Sequence, residues 1–265
     1  MSPPPALILG AGFTGERVAR RLEALGHEVV RLRSRDLPLP DVARIEGLPD
    51  VGHLVLHSIP LVRSDEGLVE HTPRLLEALG GRVLKLVYLS TTGVYGAATE
   101  VDEHTPTAPR TPRESLRVAA EQAIVLRHPS ALILRPAAIY GPGRGAHASI
   151  REGTWRLGGD GSNLVSRIHV DDLASLALAG LRSSVTGAYP VADDEPCSSL
   201  ELTRFVCDRL GLPLPSSVEP ALLDETRRAN RSVDGRAIRR LLGVELRYPS
   251  YRIGVPACLD EEAGG

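Results

Sequence analysis

Ala6-Leu7-Ile8-Leu9-Gly10-Ala11-Gly12-Phe13-Thr14-Gly15 joins a short apolar run to glycines at positions 10, 12 and 15. Four apolar residues ending in glycine read as a buried parallel strand. Downstream, Val18, Ala19, Leu22 and Leu25 fall at helical spacing, and Gly26 is placed to end the helix. A second strand is expected at 28–32. Strand, glycine loop, helix and strand form one βαβ unit. In such a unit the first glycine permits the tight turn, the second lets the backbone approach a pyrophosphate, and the third lets helix and strand pack closely. The pyrophosphate rests on the helix N-terminus, where free N–H groups favour an anion. Gly10, Gly12, Phe13, Thr14 and Gly15 are therefore candidate dinucleotide ligands. The competing reading, a structural turn without ligand, is weakened by the strand before and the helix after.

The alternation continues. Strands are expected at 53–56, 83–89, 131–134 and 187–192, and helices at 66–79, 112–127, 171–181, 199–210 and 234–242. Turn-rich segments at 141–145 and 158–161 flank one or two helical turns at 150–157, and a proline-rich linker covers 213–220. The fold class is α/β: a Rossmann-type doubly wound parallel sheet with a smaller C-terminal substrate-binding region. The dinucleotide-binding domain spans 1–145, with 166–192 rejoining it; 146–165 and 193–265 form the smaller region.

The end of the second strand chooses the cofactor. An acidic residue there bonds the ribose 2′-OH of NAD, whereas arginine accommodates the 2′-phosphate of NADP. The chain reads Arg31-Leu32-Arg33-Ser34-Arg35, with Asp36 only beyond it. Arg33 and Ser34 thus point to NADP, with NAD the alternative; the competing reading makes these arginines a solvated edge.

Among 265 residues, 42% are hydrophobic and 24% charged, and the net charge is −2, so neither nucleic acid nor an anionic membrane is expected as a partner. Cys197, Cys207 and Cys258 are isolated, which argues against a disulfide framework or a metal site. Met1-Ser2-Pro3-Pro4-Pro5 lacks the pattern of a signal peptide, and no apolar run is long enough to span a bilayer; a cytoplasmic location is the expectation. Lys85 is the only lysine.

The segments Leu89-Ser90-Thr91-Thr92-Gly93-Val94-Tyr95-Gly96, Arg135-Pro136-Ala137-Ala138-Ile139-Tyr140-Gly141-Pro142-Gly143, Arg167-Ile168-His169-Val170-Asp171-Asp172 and Tyr189-Pro190-Val191-Ala192-Asp193-Asp194-Glu195-Pro196 occur in that order after the glycine loop. Together they resemble the extended and atypical short-chain dehydrogenase/reductase superfamily, in its NAD-dependent epimerase/dehydratase branch. Arg247-Tyr248-Pro249-Ser250-Tyr251-Arg252 is similar to the YeeZ-like subgroup. The resemblance implies an oxidoreductase or epimerase acting on a small carbonyl/hydroxyl or nucleotide-sugar-like molecule, in a superfamily where homodimers are common. It implies hydride transfer assisted by a Ser/Thr and a Tyr-x-x-x-Lys pair.

Thr91 matches the Ser/Thr position, where its hydroxyl would serve a substrate carbonyl. With Glu121 placed on the family's glutamate, the tyrosine and lysine positions hold Arg113 and Arg117. Residues 96–139 contain no tyrosine, so the pair is absent. Arginine stays protonated and cannot relay a proton, although Arg117 could bond the nicotinamide ribose. Tyr95 and Tyr140 are the substitute candidates, each weighed against a turn-shaping role. His57 and Ser58, at the third strand's end, and Ser90 and Pro136, in the matched segments, complete the cofactor candidates. His169 reads as structural, with Asp171 as helix N-cap. Loss of both catalytic positions keeps a second reading open: an NADP-binding redox sensor or regulator without turnover.

Overall fold

The computed structural model describes residues 2–33, 45–65, 67–224 and 226–264. Its centre is a six-stranded sheet of β1 (Ala6–Leu9), β2 (Val29–Leu32), β3 (His53–His57), β4 (Val83–Leu89), β5 (Leu132–Pro136) and β6 (Gly187–Val191). The strands lie in the order β6-β5-β4-β3-β1-β2, all parallel. Because a parallel sheet is covered on both faces, its strands read as apolar runs, and the β1 side chains are 0–1% exposed. Residue 187 begins the strand that returns beside β5, as the sequence led us to expect.

Alternate side chains divide the core. Ile8, Leu56 and Leu134 pack with Val18 and Leu22 of α1 (Gly15–Ala24) and with the helix Val170–Leu181. Leu7, Val55 and Tyr88 face the opposite layer, made by α2 (Thr72–Leu79) and α3 (Pro112–Arg127). This is the doubly wound arrangement. Strand order reverses about β1, which sends the chain to β2 on one side and β3 on the other. The crevice at the carboxyl ends of β1 and β3 is therefore the switch point where such sheets bind ligands.

A third cluster lies beyond the sheet. Ile150 of α4 (Ala146–Arg151) packs with Val206 of the helix Ser199–Leu210 and with Tyr251, Val255 and Cys258 of the C-terminal helix Tyr251–Gly264. Ile238, in the helix Arg236–Leu242, instead joins the core on the α1 side of the sheet.

Four expectations need correction. The stretch expected as a helix at 66–79 opens with an antiparallel ribbon, Val62–Ser64 against Gly67–Val69, and the helix starts only at Thr72. Pro73 favours the first helical turn, where a missing N–H costs nothing. The short helix expected at 150–157 runs from Ala146 to Arg151, between Gly145 and Gly153, both at positive φ. The C-terminal helix was not expected, because Gly254 and Pro256 interrupt its pattern. His169, not Asp171, caps the helix Val170–Leu181: its Nδ1 accepts the Asp171 N–H at 3.2 Å.

Candidate functional site

The three glycines differ in what surrounds them. Gly10 adopts φ +95°, and a side chain there would press on Ser58. A Cβ on Gly15 would collide with the Gly10 carbonyl oxygen, so helix and strand meet there as the motif requires. Among the described residues nothing lies within 4 Å of the place where a Gly12 Cβ would stand. Gly12 is exposed, and its bare face opens onto the start of α1. That opening is what a pyrophosphate needs, so the loop fits a dinucleotide. Ser58 supports the loop by donating its Oγ hydrogen to the Gly10 carbonyl at 2.7 Å.

Arg33 follows β2 and reaches the first turn of α1, where its guanidinium lies 3.3 Å from Glu16. Arg20 and Arg31 approach the same carboxylate at 3.2 and 3.3 Å. Although partial burial pushes the Glu16 carboxyl up, these arginines hold it below its ordinary range. Three guanidinium groups around one carboxylate leave the corner positive, even with Arg31 also bonded to Glu23 at 2.6 Å. Ser34 lies outside the described residues, as does Asp36. Phe13 lies under Arg17 and Arg144, whose guanidinium carbons stand 4.7 and 5.1 Å from its ring centre.

At the carboxyl end of β4, Thr91 caps a single 3₁₀ turn, Thr92–Tyr95. Its Oγ1 accepts the Gly93 N–H at 3.1 Å. A hydroxyl has one hydrogen and two lone pairs, and among the described residues no acceptor takes the Thr91 hydrogen, which leaves the donor for a ligand oxygen. Arg231 holds the turn from outside. It is buried, and it donates to the carbonyls of Thr92 (2.6 Å), Ala98 (2.9 Å) and Gly96. Nothing in the order of residues foretold this arginine, whose partners stand more than a hundred positions away. Thr91 opens on a cavity of about 450 Å³, shared with Arg113, Thr226 and residues 228–231.

Arg117 does not stand in the open crevice. Its side chain is 8% exposed and donates to Tyr88 Oη at 2.6 Å, Glu70 Oε2 at 3.3 Å and the Ile59 carbonyl at 3.4 Å. Glu70 Oε1 accepts the Thr72 hydroxyl at 2.6 Å, and Thr72 Oγ1 in turn meets His57 Nε2 at 2.8 Å. A carboxylate only accepts, so the Thr72 hydrogen goes to Glu70 and His57 must donate from Nε2. His57 Nδ1 then accepts the Ile59 N–H at 3.4 Å. Burial, with Arg117 and His71 nearby, pulls His57 down to about 3, which keeps the ring neutral. His57 is thus enclosed in a polar network beside the switch point, with both nitrogens engaged.

The remaining candidates are placed as follows. Ser90 donates to Glu121 Oε1 at 2.5 Å, and Arg135 bonds both Glu121 oxygens at 2.7 and 3.1 Å, making a buried ion pair. Arg135 also donates to Tyr95 Oη at 3.1 Å, and burial pushes the Tyr95 phenol up. Pro136 pairs with Val191 at the end of β5. Thr14 precedes α1 and is 7% exposed. The Tyr140 hydroxyl is buried against Gly254 of the C-terminal helix, which leaves room for it there. Neither Tyr95 nor Tyr140 is among the described residues that line the cavity in front of Thr91. Lys85 sits at the opposite end of β4, where Nζ donates to the Ser130 and Val185 carbonyls at 2.8 and 2.5 Å. Among the described residues no cluster could hold a metal ion, and no helix is long and apolar enough to cross a membrane.

Comparison with known proteins agrees with this architecture. Residues 67–192 match the model of the NAD dependent epimerase/dehydratase family. A structure described as a functionally unknown conserved protein from Silicibacter pomeroyi is 30% identical, with a TM-score of 0.80 over 98% of this chain and 99% of that one. A 2-alkyl-3-oxoalkanoate reductase from Stenotrophomonas maltophilia is 28% identical over 77% of this chain and 74% of its own length. A 3-diazoavenalumate denitrifying reductase from Streptomyces is 32% identical over 139 residues, and the chain spans only 45% of that relative's length. With the glycine loop, the six-stranded parallel sheet and the Thr91 turn in place, the chain belongs to the NAD dependent epimerase/dehydratase family of extended short-chain dehydrogenases/reductases.

Proposed function

We propose that this chain is an NAD(P)-dependent oxidoreductase or epimerase, with NADP as preferred cofactor, acting on a small carbonyl/hydroxyl or nucleotide-sugar-like substrate. The observation that carries the reading is the pairing of two features on one sheet edge. Gly12 presents bare backbone at the switch point, and Thr91 presents a hydroxyl with its hydrogen uncommitted. Gly10, Gly12, Phe13, Thr14 and Gly15 would hold the pyrophosphate, and Arg33 the 2′-phosphate. A bound nicotinamide would supply or accept the hydride. Thr91 would donate a hydrogen bond to the oxygen on which charge develops. A relative named as an oxoalkanoate reductase supports a carbonyl as the reacting group.

Neither arginine can move a proton in place of the missing Tyr-Lys pair. Arg117 is already bonded to Glu70 and Tyr88, so it acts by holding that buried network in place behind the site. The proton is then left to a water held by Thr91. The same loss favours the second reading, a cofactor-binding sensor that turns nothing over. Fluorescence titration with NADPH and NADH, followed by a hydride-transfer screen over carbonyl compounds and sugar nucleotides, separates them. Tighter NADPH binding with turnover that Thr91→Ala abolishes supports the enzyme. Binding without turnover on the panel supports the sensor, and tenfold tighter NADH binding overturns the cofactor preference.

A further inference from the structure

The cavity in front of Thr91 has an unusual charge. Arg110, Arg113, Arg228 and Arg231 line it, and Glu114 is its acidic member. Glu114 alone cannot neutralise four guanidinium groups, so the lining stays net positive. Its Oε2 accepts the backbone N–H groups of Arg110 and Thr111 at 2.6 and 3.1 Å, closing the first turn of α3. Arg231 is buried and committed to three backbone carbonyls. Arg113 and Arg228 are different: both are exposed, and among the described residues neither has a carboxylate partner. One stands on α3 at the start of the helix, the other on the segment that returns from the smaller region, and they meet in one cavity. Two guanidinium groups without a carboxylate partner on one cavity suit a shared anion, which each can bind through two parallel N–H donors.

We propose that the cavity takes a substrate whose reacting end carries an oxyanion, a carboxylate or a phosphate, bound by Arg113 and Arg228 beside Thr91. This rests on the reading of Thr91 as the group facing the reacting oxygen. The position where relatives in the superfamily carry a proton-donating tyrosine thereby becomes an anion anchor. The same charge selects against neutral substrates, because a cationic wall left unpaired beside an ester or ketone gains nothing from it.

The test is calorimetric titration of the full chain, with and without NADPH, using pyruvate, 4-oxobutanoate and inorganic phosphate, against methyl pyruvate and methyl 4-oxobutanoate. The acids, the phosphate or both bind saturably, and at least about tenfold more tightly than the esters, equivalent to about 1.4 kcal/mol. Arg113→Gln and Arg228→Gln each weaken that binding by about tenfold or more and leave NADPH affinity unchanged. Arg127→Gln, at the far end of the same helix, leaves both unchanged. Saturation by phosphate alone assigns the phosphate, and by the oxo-acids alone the carboxylate. Equal binding of acids and esters, no saturable binding of any anion, or anion affinity indifferent to both variants overturns the proposal. Failure of NADPH to bind while the anion results hold would instead overturn the cofactor reading.

Discussion

Gly12 and Gly15 sit three residues apart in one motif, yet the structure separates what each does. A methyl group on Gly15 has no space, because the Gly10 carbonyl oxygen occupies it. Gly15→Ala must push helix from strand, and should destabilise the fold by roughly 1–3 kcal/mol. A methyl group on Gly12 meets nothing, and its φ is not positive. Gly12→Ala should therefore leave stability within about 0.5 kcal/mol of the native chain. It should nonetheless weaken NADPH binding at least tenfold, on the order of 1.4 kcal/mol, by filling the space the pyrophosphate needs. Urea denaturation and NADPH titration of both variants check this, and a Gly12→Ala protein that binds NADPH normally would contradict it. The close approach at Gly15 and the open face at Gly12 were legible in the sequence because the motif fixes them by position. The fate of Arg117 was not, since its partners Glu70 and Tyr88 reach it only through the packing of α3 on β4.

Elements with complete end signals were read to the residue. Helix α3 opens with Thr111 before Pro112 and Glu114, a reciprocal capping box in the structure, with Thr111 Oγ1 accepting the Glu114 N–H at 3.3 Å. Ser198 and Gly211 likewise bracket the helix Ser199–Leu210. The helix Tyr251–Gly264 also opens on a serine, with Ser250 Oγ accepting the Arg252 N–H at 3.0 Å, but Gly254 and Pro256 interrupt its pattern, so the packing of Tyr251, Val255 and Cys258 is needed to sustain it. Thr111→Ala should cost about 1 kcal/mol of stability through the lost cap. The 3₁₀ turn after Thr91 depends instead on a distant side chain. Replacing Arg231 by leucine removes the donor from three carbonyls at once, and a buried acceptor left unpaired costs roughly 1–3 kcal/mol. Arg231 is a positioning residue, so Arg231→Leu should lower kcat with NADPH affinity unchanged, and Arg231→Lys should recover part of it. A variant with the native kcat would show that the turn holds without the arginine.

Acid and base groups are buried both at the junction of the sheet with the smaller region and beside the switch point, so the stability of the whole molecule responds to pH. Asp193 follows β6 where the chain leaves the sheet, and its N–H donates to the Arg167 carbonyl at 2.7 Å. Burial pushes its carboxyl up to about 7; Arg167 and the Glu195 N–H oppose this, while Asp194 and Glu195 add to it. An unfolded aspartate ionises near 3.9, so the native state binds the extra proton between about pH 4 and 7, and stability falls with rising pH there by up to roughly 1.4 kcal/mol per unit. The buried histidines act in the opposite sense. His57 and His169 are pulled down to about 3 and about 4, chiefly by burial. Their unfolded rings take up protons near 6.5, so stability is full above that value and is lost as pH falls. Two groups favouring higher pH outweigh one favouring lower pH until the unfolded histidines have lost most of their protons, just below about pH 7. Stability contributed by these three groups should peak at about pH 7. The variant Asp193→Asn isolates the carboxyl, because it removes the charge and keeps the shape. Denaturant unfolding from pH 4 to 9 should show the variant gaining on the native chain steadily up to about pH 7 and then running parallel to it. A difference that is flat with pH would mean that Asp193 is ionised in the folded protein, paired with Arg167 rather than held neutral at the junction.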